Sequence, residues 1–200
     1  MKYFNLTQEN INKTFSDLYR EIESTFECTY LFYKCELQGY EFIFASNMEW
    51  MDLYVNQSLI KQCPLFRVGV KKIQTSKTKS VMLRWNDVKP ISRDERNIVG
   101  LRNEFNICNG ISLGRQIGKA SDYLGLAADR LNFNFPSQII RDSLKIREIM
   151  NKLFNNSLAS MLISQVQQNI NNIDHNLLLQ NNSLLIRDCR ERLDKAQYPA

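Results

Sequence analysis

Histidine is nearly absent from this 200-residue chain, which contains only His175. Catalytic triads, paired-histidine metal sites and many acid–base steps near neutral pH need at least one well-placed imidazole. His175 follows Asp174 in a segment rich in Asn and Gln, where an exposed or capping role is the ordinary one. The sequence therefore favours a binding protein over an enzyme, and we expect neither a cofactor nor a metal site.

Phosphate-binding glycine motifs are also missing. The segment Gly110-Ile111-Ser112-Leu113-Gly114 has neither the lysine of a P-loop nor the glycine spacing of a dinucleotide-binding turn. After Gly125 the chain contains no glycine, and its basic residues alternate with acidic ones near the end. A helix-turn-helix often has glycine in its turn and presents a basic recognition face. Direct DNA binding by the C-terminal part is therefore disfavoured.

Long apolar runs and paired cysteines are absent as well. The first residues lack the apolar core of a signal peptide, and no run approaches the roughly 18 apolar residues of a membrane span. The five cysteines are scattered, with no Cys-x-x-Cys pair, which is typical of reduced thiols in the cytosol. We therefore expect a cytoplasmic protein with no membrane span, no zinc site and no disulfide framework.

Positive charge is concentrated in the middle of the chain. Residues 1–59 carry 4 basic and 9 acidic side chains, 60–102 carry 11 and 3, and 103–200 carry 11 and 9, for a net charge of +5. Much of the middle block is predicted to be a loop. A solvated basic surface is the ordinary interpretation, and direct binding of nucleic acid or anionic lipid is the alternative.

Hydrophobic periodicity predicts an α+β fold with a mostly antiparallel sheet covered by helices. Asn47 is a candidate N-cap for a helix that ends near Gln62, before Pro64. Ser92 begins a capping box for a helix that contains Ile98, Val99, Leu101, Arg102 and Phe105. Another helix is predicted over 7–25, and five strands are predicted over 28–37, 40–46, 80–85, 111–117 and 123–128. Gln38-Gly39 predicts a hairpin turn between the first two strands, and Asn109-Gly110 predicts a tight turn or bulge before the fourth.

The chain beyond Pro136 changes character. Apolar residues recur at helical spacing as far as Leu162, which predicts long helices. The Asn- and Gln-rich stretch 165–182 keeps this spacing, so a helix with a break is favoured over a disordered tract, and a last helix is predicted over 182–195. The sequence therefore predicts a C-terminal helical segment after the sheet.

A group of aromatic residues carries the strongest signal for a binding site. Trp50 and Tyr54 are four residues apart on one predicted helix and project from one face. Cys63 ends this helix, and Trp85 follows the basic block. A plain aromatic core is one interpretation, and an apolar pocket in which polar tips orient a small amphipathic ligand is the other.

Five motifs of this sequence occur in the order and approximate spacing of the autoinducer-binding domain of LuxR-type quorum-sensing regulators, which residues 10–155 resemble. The resemblance implies an α-β-α sandwich that binds an acyl-homoserine lactone between the sheet and a helical layer. It implies that Trp50 donates to the lactone carbonyl, that Tyr54 contacts the acyl-chain carbonyl and that Trp85 packs on the lactone ring. The motifs are Trp50-x-x-x-Tyr54, Cys63-Pro64, Trp85-x-Asp87-Val88, Ser92-x-x-Glu95-Arg96 and Phe105-Asn106-Ile107-Cys108-Asn109-Gly110-Ile111.

The sequence departs from the family pattern at two points. Cys63 stands where the family has an aspartate that accepts the ligand amide N–H, and a thiol is a weaker acceptor than a carboxylate. An acyl-homoserine lactone or a related small amphipathic ligand is therefore one alternative for this site, and a different ligand or none is the other. A glycine-free segment stands where the family has its DNA-binding module.

We predict a sensor domain over 1–155 and a helical extension over 156–200. The leading hypothesis is a non-enzymatic signalling protein that binds a small amphipathic ligand through Trp50, Tyr54, Cys63 and Trp85. Its C-terminal helices would form a homodimer or dock a protein partner. The alternative hypothesis is a ligand-free interaction module, either a heterodimerising antagonist or a host-directed bacterial factor, that uses the same helices.

Overall fold

A computed structural model of the protein describes residues 8–162 and residue 164, without the side chains of residues 8–12 and 56. Met1–Met161 forms one compact unit, and every element named below belongs to it. The helices predicted after Leu162 lie outside the described residues. His175 also lies outside them, as does most of the predicted 156–200 extension. No helix in the described ranges is long and apolar enough to cross a membrane.

The predicted α+β class is confirmed by a five-stranded antiparallel sheet with helices on both faces. The strand order is β2-β1-β5-β4-β3, so β1 and β5 lie inside the sheet. The strands are β1 (Tyr30–Leu37), β2 (Tyr40–Ala45), β3 (Ser80–Arg84), β4 (Cys108–Ile117) and β5 (Ala120–Ala128). The long helices are α1 (Gln8–Phe26), α3 (Pro64–Thr75), α4 (Arg93–Glu104) and α6, which begins at 143 and extends to at least 161.

Two shorter helices and three tight helical turns complete the described elements. The helices are α2 (Met48–Met51) and α5 (Phe135–Arg141). The turns are a π-helical turn at Asp52–Asn56 and 3₁₀ turns at Leu59–Gln62 and Trp85–Asp87.

One face of the sheet is filled by apolar side chains from α1, α5 and α6. The Phe15 ring of α1 lies 6.0 Å from the ring of Tyr33 on β1. Phe135 and Ile139 from α5 and Leu153 from α6 are fully buried. Because strand residues alternate between faces, the side chains of Leu31, Tyr33 and Cys35 point to this layer, whereas those of Tyr30, Phe32 and Lys34 point to the opposite one.

The predicted turns are confirmed at two positions that need unusual backbone angles. Gln38 and Gly39 both have positive φ and join β1 to β2 in a two-residue hairpin turn. At Asn109 and Gly110 the register of β4 against β5 shifts, which is a β-bulge. A Cβ at Gly110 would lie 2.3 Å from the Trp85 ring, so this glycine allows the indole to pack flat on the strand.

The structure corrects two helix predictions. The helix expected from Asn47 to Gln62 does begin with the Asn47 cap, but it is broken at Ser58, whose φ is +58°. The segment after it, predicted as part of a basic loop, is helix α3, because Pro64 occupies the first turn of a helix as well as ending the previous segment. Cys63 caps α3, and the exposed basic side chains of this block include Lys71 and Lys72 on the outer face of α3.

Candidate functional site

A cavity of about 270 Å³ lies between the sheet and helices α3 and α4. We call it the main cavity. Its sheet wall comes from β1, β3, β4 and β5, and its opposite wall comes from α2, α3, α4 and the turns between α2 and α3. Residues of both walls line it, including Tyr30, Lys34, Glu36, Trp50, Tyr54, Cys63, Gly69, Leu83, Trp85, Arg102 and Ser112.

Trp50 and Tyr54 stack on each other at one end of the main cavity. Their ring centroids are 5.3 Å apart at an interplanar angle of 23°, as expected from a four-residue separation on a helical segment. The Asn47 side chain accepts the backbone N–H of Trp50 at 2.9 Å and fixes the start of α2. The Trp50 indole N–H also interacts with the hydroxyl of Tyr30, so this donor already has a partner within the protein.

Cys63 lies at the same end of the main cavity and is almost fully buried. The Ser58 turn and the 3₁₀ turn after it bring the chain back, so that the thiol faces the Tyr54 hydroxyl. Burial raises the pKa of Tyr54, and the interaction with Cys63 raises it further, so the phenol stays neutral. The position where the resemblance implies a carboxylate therefore holds a thiol beside a neutral phenol.

Trp85 forms part of the sheet wall. Its indole Nε1–H donates to the Ser112 hydroxyl at 2.7 Å, and its ring lies flat over Gly110. Arg102 projects from the cavity side of α4. Its guanidinium carbon lies 4.4 Å from the centroid of the Trp85 ring, which is a cation–π contact. Both tryptophans predicted as ligand contacts thus line the main cavity, and the polar tip of each is engaged by another side chain of the protein.

The structure brings the four predicted site residues together on one cavity and adds one that sequence reasoning missed. Arg102 is on the buried face of α4, four residues after Ile98 and three before Phe105, and is only 8% exposed. Its Nε and Nη1 atoms are buried and have no hydrogen-bond partner among the described residues. An arginine inside the apolar stripe of a predicted helix was the available signal, because charge is rare on a buried face.

The surroundings of Arg102 contain no carboxylate in the described part of the chain that pairs with it. Burial lowers the pKa of its guanidinium, and the interactions that oppose this come from Cys63, Tyr54, Cys108 and Tyr30. None of these four groups is a carboxylate. Among the described residues, no acidic side chain pairs with the Arg102 charge at this end of the main cavity.

The other end of the main cavity carries a cation that is fully paired. Lys34 Nζ lies 2.6 Å from Glu36 and 2.9 Å from Glu41. Tyr30 and Lys34 are four residues apart on β1, which separates the two ends by roughly 13 Å at the rise of an extended strand. The cavity wall between them is apolar and includes Phe32 and Leu83.

A second cavity of about 440 Å³ touches Trp85 and Arg102 from the opposite side. It is lined by Lys89, Asn103 and Arg130, among others, and its rim includes Phe133, which is 69% exposed. Asn109 donates to the backbone carbonyls of Asp129 and Arg130 and so fixes the loop after β5. Trp85 and Arg102 thus form the partition between the two cavities.

Comparison with solved structures finds similar chain traces in three bacterial regulators. The match to SdiA from Escherichia coli has a TM-score of 0.48 and 13% identity, and it covers 74% of this chain and 60% of the SdiA chain. The match to the VqsR LBD domain from Pseudomonas aeruginosa has a TM-score of 0.48 and 12% identity, with coverages of 72% and 94%. The match to CepR2 from Burkholderia cenocepacia, described as an N-acylhomoserine lactone dependent LuxR family transcription factor, has a TM-score of 0.43 and 16% identity, with coverages of 78% and 95%.

No protein-family model matches the sequence, and no curated protein matches it either. Similarity of this degree to solved structures assigns no ligand and no residue role to the chain. The sequence motifs described above resemble the LuxR family, and CepR2 is described as a member of that family.

Proposed function

We propose that this protein is a non-enzymatic sensor that binds a small amphipathic ligand in the main cavity. The observation that carries the proposal is the cavity itself: an apolar space of about 270 Å³ with a cluster of polar groups at one end. Ligand sites typically combine apolar walls with a few convergent polar groups. We place this sensor in residues 1–155 and assign ligand contacts to Trp50, Tyr54, Cys63 and Trp85.

The presence of the cavity favours a ligand site over a plain aromatic core as the interpretation of these aromatic residues. A closed core is packed at the density of an organic crystal and leaves few voids larger than a water molecule. Trp50 and Trp85 are buried, yet the space beside them is on the order of nine water volumes. The aromatic residues therefore surround a space as well as packing on one another.

Sensing would follow from burial of the ligand. A ligand that fills the main cavity adds apolar contacts between the sheet and helices α3 and α4, which stabilises the folded state by mass action. The output would come from the C-terminal helices, through a homodimer or a protein partner. We place this protein in the cytoplasm, which the four buried free thiols of Cys28, Cys35, Cys63 and Cys108 support.

The test is a thermal-shift titration with three eight-carbon compounds: octanoate, octanamide and N-octanoyl-homoserine lactone. At a concentration about 100 times its Kd, a bound ligand stabilises a protein of this size enough to raise Tm by roughly 5 °C. At least one compound is expected to produce such a shift. If none does, at any concentration below its solubility limit, the ligand-free interaction module becomes the better hypothesis.

A pair of glycine variants shows whether the ligand occupies the main cavity. Gly69 lines it from α3, and a Cβ there would lie 3.6 Å from Leu83, in ordinary contact. Gly69→Leu is therefore expected to fill the cavity and abolish the shift. Gly100 is exposed in the middle of α4 with nothing near its Cβ position, so Gly100→Leu is the matched control and keeps the shift.

A further inference from the structure

Two nitrogens of the Arg102 guanidinium, Nε and Nη1, are buried without a hydrogen-bond partner among the described residues, which bears on the chemistry of the ligand. Arginine keeps its charge under all ordinary conditions, so burial cannot be relieved by loss of a proton as it can for lysine. A buried charge with no partner destabilises a fold strongly, and such groups are normally paired or bound to an ion. Nε and Nη1 of Arg102 have neither within the described residues.

An anion in the main cavity would supply the missing partner. The guanidinium presents parallel N–H groups that match both oxygens of a carboxylate, and charge-assisted bonds of this kind are roughly twice as strong as neutral ones. Three of the four polar side chains that interact with Arg102 also line the main cavity: Tyr30, Tyr54 and Cys63. Their hydroxyl and thiol groups could donate further hydrogen bonds to a bound carboxylate.

The size of the cavity limits the rest of the ligand. Since one water molecule occupies about 30 Å³ of liquid, the main cavity has room for about nine or ten non-hydrogen atoms. Its middle wall is apolar, and it leads from Arg102 along β1 toward Lys34. A carboxylate with a chain of about eight carbons fits this volume.

We propose that the main cavity binds a medium-chain carboxylate whose head group pairs with Arg102 and whose chain lies along the sheet toward Lys34. This inference rests on the proposed ligand-binding function and names the class of ligand. It places the charged head at the deeply buried end. Lys34 does not compete for the head group, because Glu36 and Glu41 already neutralise it.

The experiment compares octanoate with octanamide by isothermal titration calorimetry on the wild-type protein at pH 7. The two compounds have the same size and chain, and they differ in the charge of the head group. Octanoate is expected to bind at least about tenfold more tightly, the equivalent of one charge-assisted hydrogen bond. Equal or weaker binding of octanoate would overturn the inference, and this comparison needs no variant.

Variants then assign the effect to Arg102. Arg102→Met is expected to weaken octanoate binding about tenfold or more and to leave octanamide within about twofold. Arg102→Lys, which keeps the charge, is expected to retain part of the octanoate affinity. Unchanged octanoate binding in Arg102→Met would contradict the inference. Arg102→Gln replaces the methionine variant if circular dichroism shows that the latter does not fold.

A variant of the second cavity tests whether octanoate binds there or in the main cavity. Arg130 is exposed and lines only that cavity, so Arg130→Met is expected to bind octanoate like the wild type. A loss in Arg130→Met together with unchanged binding in Gly69→Leu would move the anion to the second cavity and overturn the assignment. If octanamide or N-octanoyl-homoserine lactone binds and octanoate does not, the inference fails while the proposed function stands. If none of the three binds, both fail.

Discussion

Two arginines on opposite faces of the sheet illustrate what each face is built for. Arg115, on β4, lies among apolar side chains and forms a bidentate pair with the fully buried Asp122 at 2.8–3.1 Å. It also donates to Asn151 and to the backbone carbonyl of Met150 on α6. Arg102, facing the main cavity, has two buried nitrogens with no partner among the described residues.

The two faces of the sheet differ in how they accommodate a buried arginine. On the filled face the buried Asp122 has partners from two other strands: Tyr33 donates to it at 3.2 Å, and Arg115 donates to it at 2.8 Å. This network joins β1, β4, β5 and α6 into one rigid layer. Among the described residues, Arg102 has its buried, unpartnered nitrogens beside the main cavity, where a ligand could pair with its charge.

The largest expected effect comes from breaking the paired arginine. Asp122→Asn keeps the shape of the side chain but leaves Arg115 without a counter-charge, so the free energy of unfolding should fall by about 3 kcal/mol. Chemical denaturation at pH 7 measures this loss. Asp17→Asn removes one partner of an exposed pair with Arg20 and should change the free energy by less than about 0.5 kcal/mol. A similar small change at Asp122 would mean that the pair contributes little.

The unpaired arginine should respond in the opposite direction. Arg102→Met removes a buried charge without a partner, and a methionine fills the space of the stem. In the ligand-free protein we expect the free energy of unfolding to rise by about 1 to 2 kcal/mol, because the gain exceeds the loss of the cation–π contact with Trp85. The same denaturation experiment checks the sign. A loss of stability would show that Arg102 is well compensated in the ligand-free state.

The two arginines become directly comparable in a variant that places a carboxylate beside Arg102. Cys63→Asp places an acid beside the guanidinium, as Asp122 stands beside Arg115, and the new pair should exclude an anionic ligand. We expect octanoate affinity to fall about tenfold, which is about 1.4 kcal/mol. Cys63→Ser adds no charge and serves as the control, with octanoate affinity within about twofold of wild type. Equal octanoate binding in Cys63→Asp and Cys63→Ser would separate Cys63 from the head-group site.

The smallest effect is expected at the cation that is already neutralised. Lys34→Met removes a positive charge from the far end of the main cavity, but Glu36 and Glu41 hold that charge in the wild type. Octanoate affinity should therefore change by less than about twofold, or about 0.4 kcal/mol. Octanamide binding to the same variant controls for a change in cavity shape. A selective loss of octanoate would place the carboxylate at Lys34 and reverse the proposed orientation.

Sequence patterns predicted the elements whose signals are local. The hairpin at Gln38 and Gly39, the Asn47 cap and the Ser92 cap are all confirmed, because each depends on side chains within a few residues. Glu95 shows the limit of such reasoning. Its backbone N–H bonds to Ser92 as a capping box predicts, but its carboxylate pairs with Arg67 of α3 at 2.6 Å. Arg67 lowers the pKa of Glu95, and no pattern near residue 95 names this partner.

The sequence patterns did not predict helix α3, because the contacts that identify its buried face also come from a distant segment. Its exposed face carries lysines next to a polar, threonine-containing segment, and these residues together are typical of a loop. Pro64 was interpreted as the end of one helix, although proline is equally common in the first turn of another. The inner face of α3, with Gly69 on the cavity and Ile73 buried, becomes recognisable as a helix stripe only when β3 lies beneath it.

The sequence by itself determined the α+β class and the five strands, and it named three of the aromatic residues that line the main cavity, Trp50, Tyr54 and Trp85, because periodicity and turn chemistry are properties of neighbouring residues. The tertiary structure decided what those residues do together. It engaged the tips of Trp50 and Trp85 within the protein and set the cavity volume, and it left Nε and Nη1 of Arg102 without a hydrogen-bond partner among the described residues. Burial and pairing of charge depend on segments distant in sequence, and only the folded chain brings them into contact.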